Sequence, residues 1–491
     1  MVRKYIIRIF FLIMAFLFSV ISINIFINNT SLERGGGINL LIGIIFYLLF
    51  LFFVYKLSNK SYKKHRILVI ISFIIFIILQ IAFAYFLAVN PSWDFGNVYN
   101  YVVDDINGGY NIFEVTYFYQ FNLNIGIALL LKLYFLIFNF LGINSYLVLG
   151  IALNIIFIDI ALLYLYKFIK LISPSKYTYL FLIVALTFTP FITYVPIFYS
   201  DTLSLPFGIS SLYYLYKYFY IEDKRKSYLV VSGLLLGIGV CLKFTLIIIY
   251  IALLIVYLLK EKDCGFFVHI KPILLVSVFI FIPIIVYNGI ISLKLDEERS
   301  YKERIPLTHN IMMGLRKNGG FSIEDSRYTV SFPNKDKKQK ANIKVIKDRL
   351  SYYFYSNKLV DFYVNKLLYT WGDGTFFASE KLKRENIRDT VVDDYIYGSK
   401  KQYYFYLASA EWIMILIMLV AGIIYRKNLS SSQRDLQLFI YISLFGVMLF
   451  FLLWECRSRY LINFLPLILL GAYLGFIALS KTILVKLKKA I

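Results

Sequence analysis

Histidine and cysteine are scarce in this chain, with three of each in 491 residues. His65, His269 and His309 lie far apart, so no histidine-based metal site is visible. Cys241, Cys264 and Cys456 have neither zinc nor thioredoxin spacing and read as single buried thiols. Charge is scarce as well: 16% of residues are Asp, Glu, Lys or Arg, against about a quarter in soluble domains. No Gly-rich nucleotide fingerprint, Walker pattern or low-complexity tail occurs. An ATP-driven machine or a cytoplasmic nucleotide-sugar enzyme would carry a soluble nucleotide-binding unit, so its absence argues against both.

What is present is apolar. Hydrophobic residues make up 60% of the chain. They fall in blocks long enough for a helix to cross a hydrocarbon core of about 30 Å. Blocks near 5–28, 38–57, 67–89, 146–166, 178–194, 202–219, 228–242, 244–260, 271–292, 408–425, 435–453 and 459–480 predict an all-α polytopic membrane protein of about 12 transmembrane helices. The first block is too long for a signal-peptide core, lacks a small-residue cleavage site, and reads as a retained anchor. The net charge of +23 sits in short clusters between apolar blocks. A nucleic-acid partner needs a basic patch on a soluble fold, so the lipid bilayer is the expected partner and nucleic acid is not.

Charge asymmetry predicts the orientation. Ser58–Arg66 is basic, whereas 90–121 holds Asp94, Asp104, Asp105 and Glu114 and no Lys or Arg. The first should be cytoplasmic and the second external. Block 122–142 carries Lys132 near its middle, which is costly in lipid. If it crossed, the basic turns Lys167–Lys176 and Lys224–Lys226 would face outward. If it lies on the outer surface, those turns fall inside, with Lys260–Lys262, Arg426–Lys427 and Lys486–Lys489. An interfacial or re-entrant helix is therefore expected at 122–142, and both termini on the cytoplasmic side. Four regions follow: two N-terminal helices over 1–66, a core bundle over 67–292, an extracytoplasmic loop domain over 293–407, and C-terminal helices over 408–491. Mixed apolar and basic character near 341–369 predicts a small helical layer on the outer face.

Several residues can carry chemistry at that face. Asp94, in Trp93-Asp-Phe-Gly96, follows a span and can act as a general base, or belong to an acidic, aromatic-rich interfacial loop. Asp201, in Tyr199-Ser-Asp201, can orient a polar substrate or cap a helix. Lys243, in Lys243-Phe-Thr245, can meet a lipid phosphate or snorkel to the interface. In Trp454-Glu-Cys-Arg-Ser-Arg-Tyr460, Glu455, Arg457, Arg459 and Tyr460 crowd a short external turn. Two arginines there violate the positive-inside pattern and point to an anionic ligand, or to an Arg–Glu pair that serves packing. In Trp371-Gly-Asp-Gly374, Trp371 and Asp373 could cover a sugar ring or form a structural turn.

Together these motifs resemble the C-type (GT-C) glycosyltransferases, most nearly the family 39-like enzymes: protein O-mannosyltransferases, aminoarabinose transferases and bacterial relatives. The resemblance rests on the order Trp93-Asp94-Phe95-Gly96, Tyr199-Ser-Asp201, Lys243-Phe-Thr245 and Glu455-x-Arg457-x-Arg459-Tyr460 before Pro466. It implies a helical bundle with outer juxtamembrane helices, and a donor sugar carried on a polyprenyl phosphate or diphosphate. Asp94 matches the catalytic base, and Lys243, Arg457 and Arg459 would lie near the lipid phosphate. Two spans precede the motif loop, and Tyr117-Phe-Tyr-Gln-Phe-Asn122 replaces the usual Tyr/His-Pro-Pro element.

The expected reaction is displacement of polyprenyl phosphate by an acceptor hydroxyl that gives its proton to Asp94, with inversion at the anomeric carbon. Arg457, Arg459 and Lys243 would hold the donor phosphate, with Glu455, Tyr460, Trp371 and Asp373 near the sugar. Asp104, Asp105, Glu114 and Asp201 would shape the acceptor side or hold a divalent cation. The acceptor would be a glycan, lipid or protein of the cell envelope, outside a bacterial plasma membrane. Two rivals remain: a polymerase or ligase of lipid-linked saccharides, and a flippase-type transporter, which should show inverted repeats.

Overall fold

The computed structural model describes residues 2–32, 36–60, 65–173, 177–221, 224–259 and 266–490. Among them the chain is helical, with no strand and one isolated antiparallel bridge between Val89 and Asn386. Parts of the expected cytoplasmic clusters, including Lys63, Lys64, Lys176 and Lys260–Lys262, lie outside the described residues.

Three apolar helices come first: α1 (Val2–Leu32), α2 (Gly36–Lys60) and α3 (His65–Phe86). They expose Phe16, Phe46 and Ile78 among many other large apolar side chains. Water would not tolerate so continuous an apolar surface, whereas lipid does. Then come α4 (Trp93–Ile106), α5 (Thr116–Gln120) and α6 (Ile125–Phe140). Helix α6 packs on α4, and Lys132 meets Asp105 at 2.5 Å. The lysine that seemed stranded in an apolar block therefore has its carboxylate.

The core continues with α7 (Tyr146–Ile172), α8 (Tyr177–Thr187), α9 (Pro190–Thr193), α10 (Ser200–Leu203), α11 (Leu205–Tyr220), α12 (Lys226–Leu242), α13 (Ile247–Leu259) and α14 (Phe266–Lys294). Two of the expected spans, 178–194 and 202–219, are not continuous helices. Pro190, Pro196 and Pro206 fall here, and proline removes a helical N–H and clashes with the preceding turn. Broken backbone inside a bilayer must be satisfied by protein. Asn154 donates to the carbonyls of Tyr194 and Val195, both at 2.9 Å, and Glu411 accepts from the Thr189 N–H at 3.0 Å.

Residues 295–400 form α15 (Glu297–Glu303), α16 (Thr308–Gly314), α17 (Ile323–Val330), α18 (Lys335–Tyr355), α19 (Leu359–Trp371), α20 (Ala378–Leu382) and α21 (Val391–Ile396). The expected helices near 341–369 are α18 and α19. The segment is anchored in the bundle rather than free-standing. Trp371 at the end of α19 lies between Phe18 and Trp412, with ring centroids at 6.2 and 6.3 Å.

Three long helices close the fold: α22 (Lys401–Ile424), α23 (Ser431–Leu453) and α24 (Leu465–Ala490). A Cβ on Gly475 would lie 1.7 Å from the Met418 carbonyl oxygen and 3.1 Å from the Gly422 nitrogen. The backbones of α22 and α24 thus touch through small residues, the usual means of close packing in lipid.

Among the described residues, eight stretches are long and apolar enough to cross a membrane: Arg3–Asn28, Arg66–Phe86, Asn122–Phe140, Tyr146–Ile172, Ile270–Lys294, Lys401–Ile424, Ser431–Leu453 and Ser458–Thr482. Ile38–Val54, Tyr177–Thr187, Lys226–Leu242 and Phe244–Leu259 are apolar but shorter. The structure therefore gives eight full-length candidates where the hydropathy pattern alone predicts about twelve.

Candidate functional site

Several elements end at one point. The broken segment before α11 delivers Tyr199, Ser200 and Asp201, and the end of α12 delivers Lys243. The turn between α23 and α24 delivers Glu455, Arg457, Arg459 and Tyr460, while α4 brings Asp94 in its first turn. A cavity of about 630 Å³ opens there, lined by Asp94, Asn124, Tyr199, Lys243, Glu455, Arg459 and Tyr460 among others. Its opposite wall comes from α15–α18 and includes Arg304, His309 and Lys335. Two backbone bonds clamp that wall to the arginine turn: Glu455 N–H to Asn310 at 3.0 Å, and Cys456 N–H to Gly319 at 2.9 Å. Gly319 has φ of +83°, and a Cβ there would meet Lys366 and Cys456 at 2.6 and 3.0 Å.

Asp201 is the electrostatic centre. One oxygen is 2.6 Å from Lys243 Nζ and the other is 3.4 Å from Arg459 Nε. Its expected alternative as a helix cap does not hold: it lies in the first turn of α10, whose N-cap is Tyr199. Lys243 therefore already has a carboxylate, and its amine also lies 5.3 Å from the Tyr460 ring. Glu455 accepts from the Tyr460 hydroxyl at 3.0 Å and stands 3.9 Å from Arg457. Burial raises the Glu455 pKa, and Arg457 opposes that shift. The arginines are incompletely matched. Arg457 Nε, Arg459 Nε and Arg459 Nη1 are buried without a hydrogen-bond partner. Buried donors of this kind are rare and point to an absent acceptor.

Asp94 accepts from the Tyr117 hydroxyl at 3.0 Å. Asn124 donates to that hydroxyl at 2.6 Å and accepts from Tyr199 at 2.9 Å. Tyr199, Asn124, Tyr117 and Asp94 thus form a hydrogen-bonded relay, of which Tyr199, Asn124 and Asp94 line the cavity. Tyr117 comes from the segment that departs from the resembled family, Asn124 lies just after it, and sequence reading gave neither a role. His309 is hydrogen-bonded to Thr329 at 2.7 Å, and burial lowers its pKa to about 4. It is a neutral imidazole near pH 7.

Other expected site residues are placed differently. Asp104 accepts from the Tyr110 N–H at 3.0 Å and shapes the turn after α4. Asp105 pairs with Lys132 and accepts from the Ile112 N–H at 3.0 Å. Both lie at the opposite end of α4 from Asp94, about 15 Å away at 1.5 Å per residue. They shape the loop after α4 and are not among the residues lining the cavity. The Glu114 carbonyl accepts from Arg299 at 2.8 Å in the same loop, and Glu114 is likewise absent from the cavity wall. Among the described residues, no group of three His, Cys, Asp or Glu side chains is placed to hold a metal ion. Trp371 is 1% exposed and belongs to the core, so it cannot lie over a sugar. Asp373 organises its own turn, accepting from Thr375 N–H at 2.9 Å, Phe377 N–H at 2.8 Å and Ser458 Oγ at 2.7 Å. Sequence reading missed Lys381, whose amine lies 3.7 Å from the Trp93 ring centroid. Its neighbourhood, Ser379-Glu-Lys-Leu-Lys-Arg384, looks like an ordinary polar run.

No curated protein and no solved structure matches the chain. The family model described as "Conserved hypothetical integral membrane protein" matches residues 1–478, and the chain belongs to that family of integral membrane proteins.

Proposed function

We propose that this protein is a C-type membrane glycosyltransferase that moves a sugar from a polyprenyl-phosphate donor to a hydroxyl of a cell-envelope acceptor. The observation that carries this reading is the set of buried, unpartnered donors on Arg457 and Arg459, with Arg459 and Asp94 both lining the cavity. Guanidinium donors match phosphate oxygens in spacing and charge. The acceptor oxygen attacks the anomeric carbon while its proton passes to an Asp94 oxygen. The bond from the anomeric carbon to the phosphate oxygen breaks, and the prenyl phosphate leaves with the electron pair. Its charge is offset by the arginines, and one in-line displacement inverts the anomeric centre.

The reading includes a topology of about twelve crossings, counting the shorter helices, with α6 on the outer face and both termini in the cytoplasm of a bacterial cell. Helix lengths support it. The 16 and 17 residues of α11 and α12 span about 24 and 26 Å at 1.5 Å per residue, short of a core of about 30 Å. If their basic ends stand at the cytoplasmic surface, their other ends stop inside the outer leaflet. Asp201 and Lys243 then lie at the depth of a prenyl phosphate head.

The test is incubation of purified protein with a panel of radiolabelled polyprenyl-phosphate sugars and envelope extract, with Arg457→Ala alongside. Consumption of one donor, lost in the variant, supports the transferase. A folded protein that consumes none overturns it and favours the polymerase or flippase.

A further inference from the structure

Lys381 in α20 is 4% exposed, and lysine is among the side chains least often buried. Its amine lies 3.7 Å from the Trp93 centroid, and the Arg459 guanidinium lies 4.2 Å from the same centroid. Arg457 lies 4.9 Å from the centroid of Phe377, the residue before α20. Trp93, Phe376 and Phe377 have φ of 49°, 52° and 65°, a region that side-chain-bearing residues avoid. Such strain persists only where the surroundings enforce it. At Phe376 and Phe377, Asp373 does so, binding the Phe377 N–H and the Ser458 hydroxyl, which ties this turn to the arginine segment.

The result is three basic side chains held around two aromatic rings with too few close carboxylates. Asp201 is shared between Lys243 at 2.6 Å and Arg459 Nε at 3.4 Å, and Glu455 reaches Arg457 only at 3.9 Å. The buried donors of Arg457 and Arg459 remain open. Among the groups facing Lys381, Arg459, Arg457 and Arg384 repel its charge and Asp94 attracts it. Burial, followed by these arginines, brings its pKa down to about 6. An arginine at this position could not shed its charge, whereas a lysine can.

Resting on the reading of the site as one for a prenyl-linked phosphodiester, we propose that the phosphodiester seats against Arg457, Arg459 and Lys381 and draws one proton from water onto the Lys381 amine as it binds. The amine lone pair takes the proton and the lysine becomes an ammonium. The incoming negative charge offsets the added positive one, so the net charge of the site is unchanged. Lys243 stays paired with Asp201 and is not the principal phosphate ligand.

The experiment is titration calorimetry of the full-length protein in detergent with decyl ethyl phosphate. This phosphodiester keeps one charge throughout the range, so its own titration does not intrude. Binding is measured at pH 6, 7 and 8 in two buffers of different ionisation enthalpy. Affinity is expected to fall about tenfold from pH 7 to pH 8, with uptake close to one proton per probe at pH 8. Lys381→Met should bind without uptake and with no pH dependence. Wild-type binding that is independent of pH overturns the inference and leaves the phosphate reading standing. Full pH dependence in a folded Lys381→Met variant assigns the proton elsewhere and also overturns it. If folded wild-type protein binds no probe at any pH, the phosphate reading falls and this inference falls with it. The two-buffer measurement on wild type decides even if the variant fails to fold.

Discussion

Asp201 illustrates what a single residue does here. It is buried between Lys243 and Arg459, at 2.6 and 3.4 Å. Removing one member of such a cluster leaves uncompensated charge, at a cost of about 3–5 kcal/mol. Asp201→Asn should therefore lower the thermal transition in detergent sharply, whereas Asp94→Asn should leave it near wild type. Asp94→Asn should instead reduce turnover by about 10²–10⁴-fold, the usual contribution of a general base. Lys381 adds a pH effect on stability. Its pKa falls from 10.5 unfolded to about 6 folded. Between those values the unfolded chain binds more protons, so stability should rise with pH. Thermal scans from pH 6 to 9 should show the rise, and it should shrink in Lys381→Met. The residues that converge were legible as motifs around Asp94, Asp201, Lys243 and Arg459. Their pairing was not, because partners come from elements far apart in the chain. Trp371 and Lys381 misled in opposite directions: nothing in their local sequence distinguishes an exposed side chain from a buried one.

At the scale of elements, the broken segment between α8 and α11 makes the site possible. Three prolines end the helices within the bundle, and the freed carbonyls find Asn154. Hydropathy averages over such breaks, which is why the sequence predicts continuous spans at 178–194 and 202–219. Lys132 stands out in the sequence, but its partner does not, because Asp105 lies in a different element. Close packing is also sequence-silent until a partner is known. Gly475→Leu should force α22 and α24 apart, with a loss of about 1–3 kcal/mol or more in detergent unfolding. Gly289→Leu should be tolerated, because a Cβ there meets no atom within 4 Å.

Across the whole molecule, membrane residence follows from composition and is matched by the family to which the chain belongs. The proposed orientation is testable by labelling intact cells with an impermeant maleimide, in a background whose native cysteines are replaced by serine. Tyr110→Cys, exposed in the loop after α4, should label from outside. Lys427→Cys, between α22 and α23, should label only after permeabilisation. The activity and the orientation meet in one experiment. Proteoliposomes are prepared with wild-type or Asp94→Asn protein, using the donor sugar found in the panel. Prenyl phosphate release is followed when donor and acceptor are supplied only to the face bearing Tyr110. Release by wild type and not by Asp94→Asn is expected. Equal release by both, or none from folded wild type on that face, would contradict an outward-facing transferase based on Asp94.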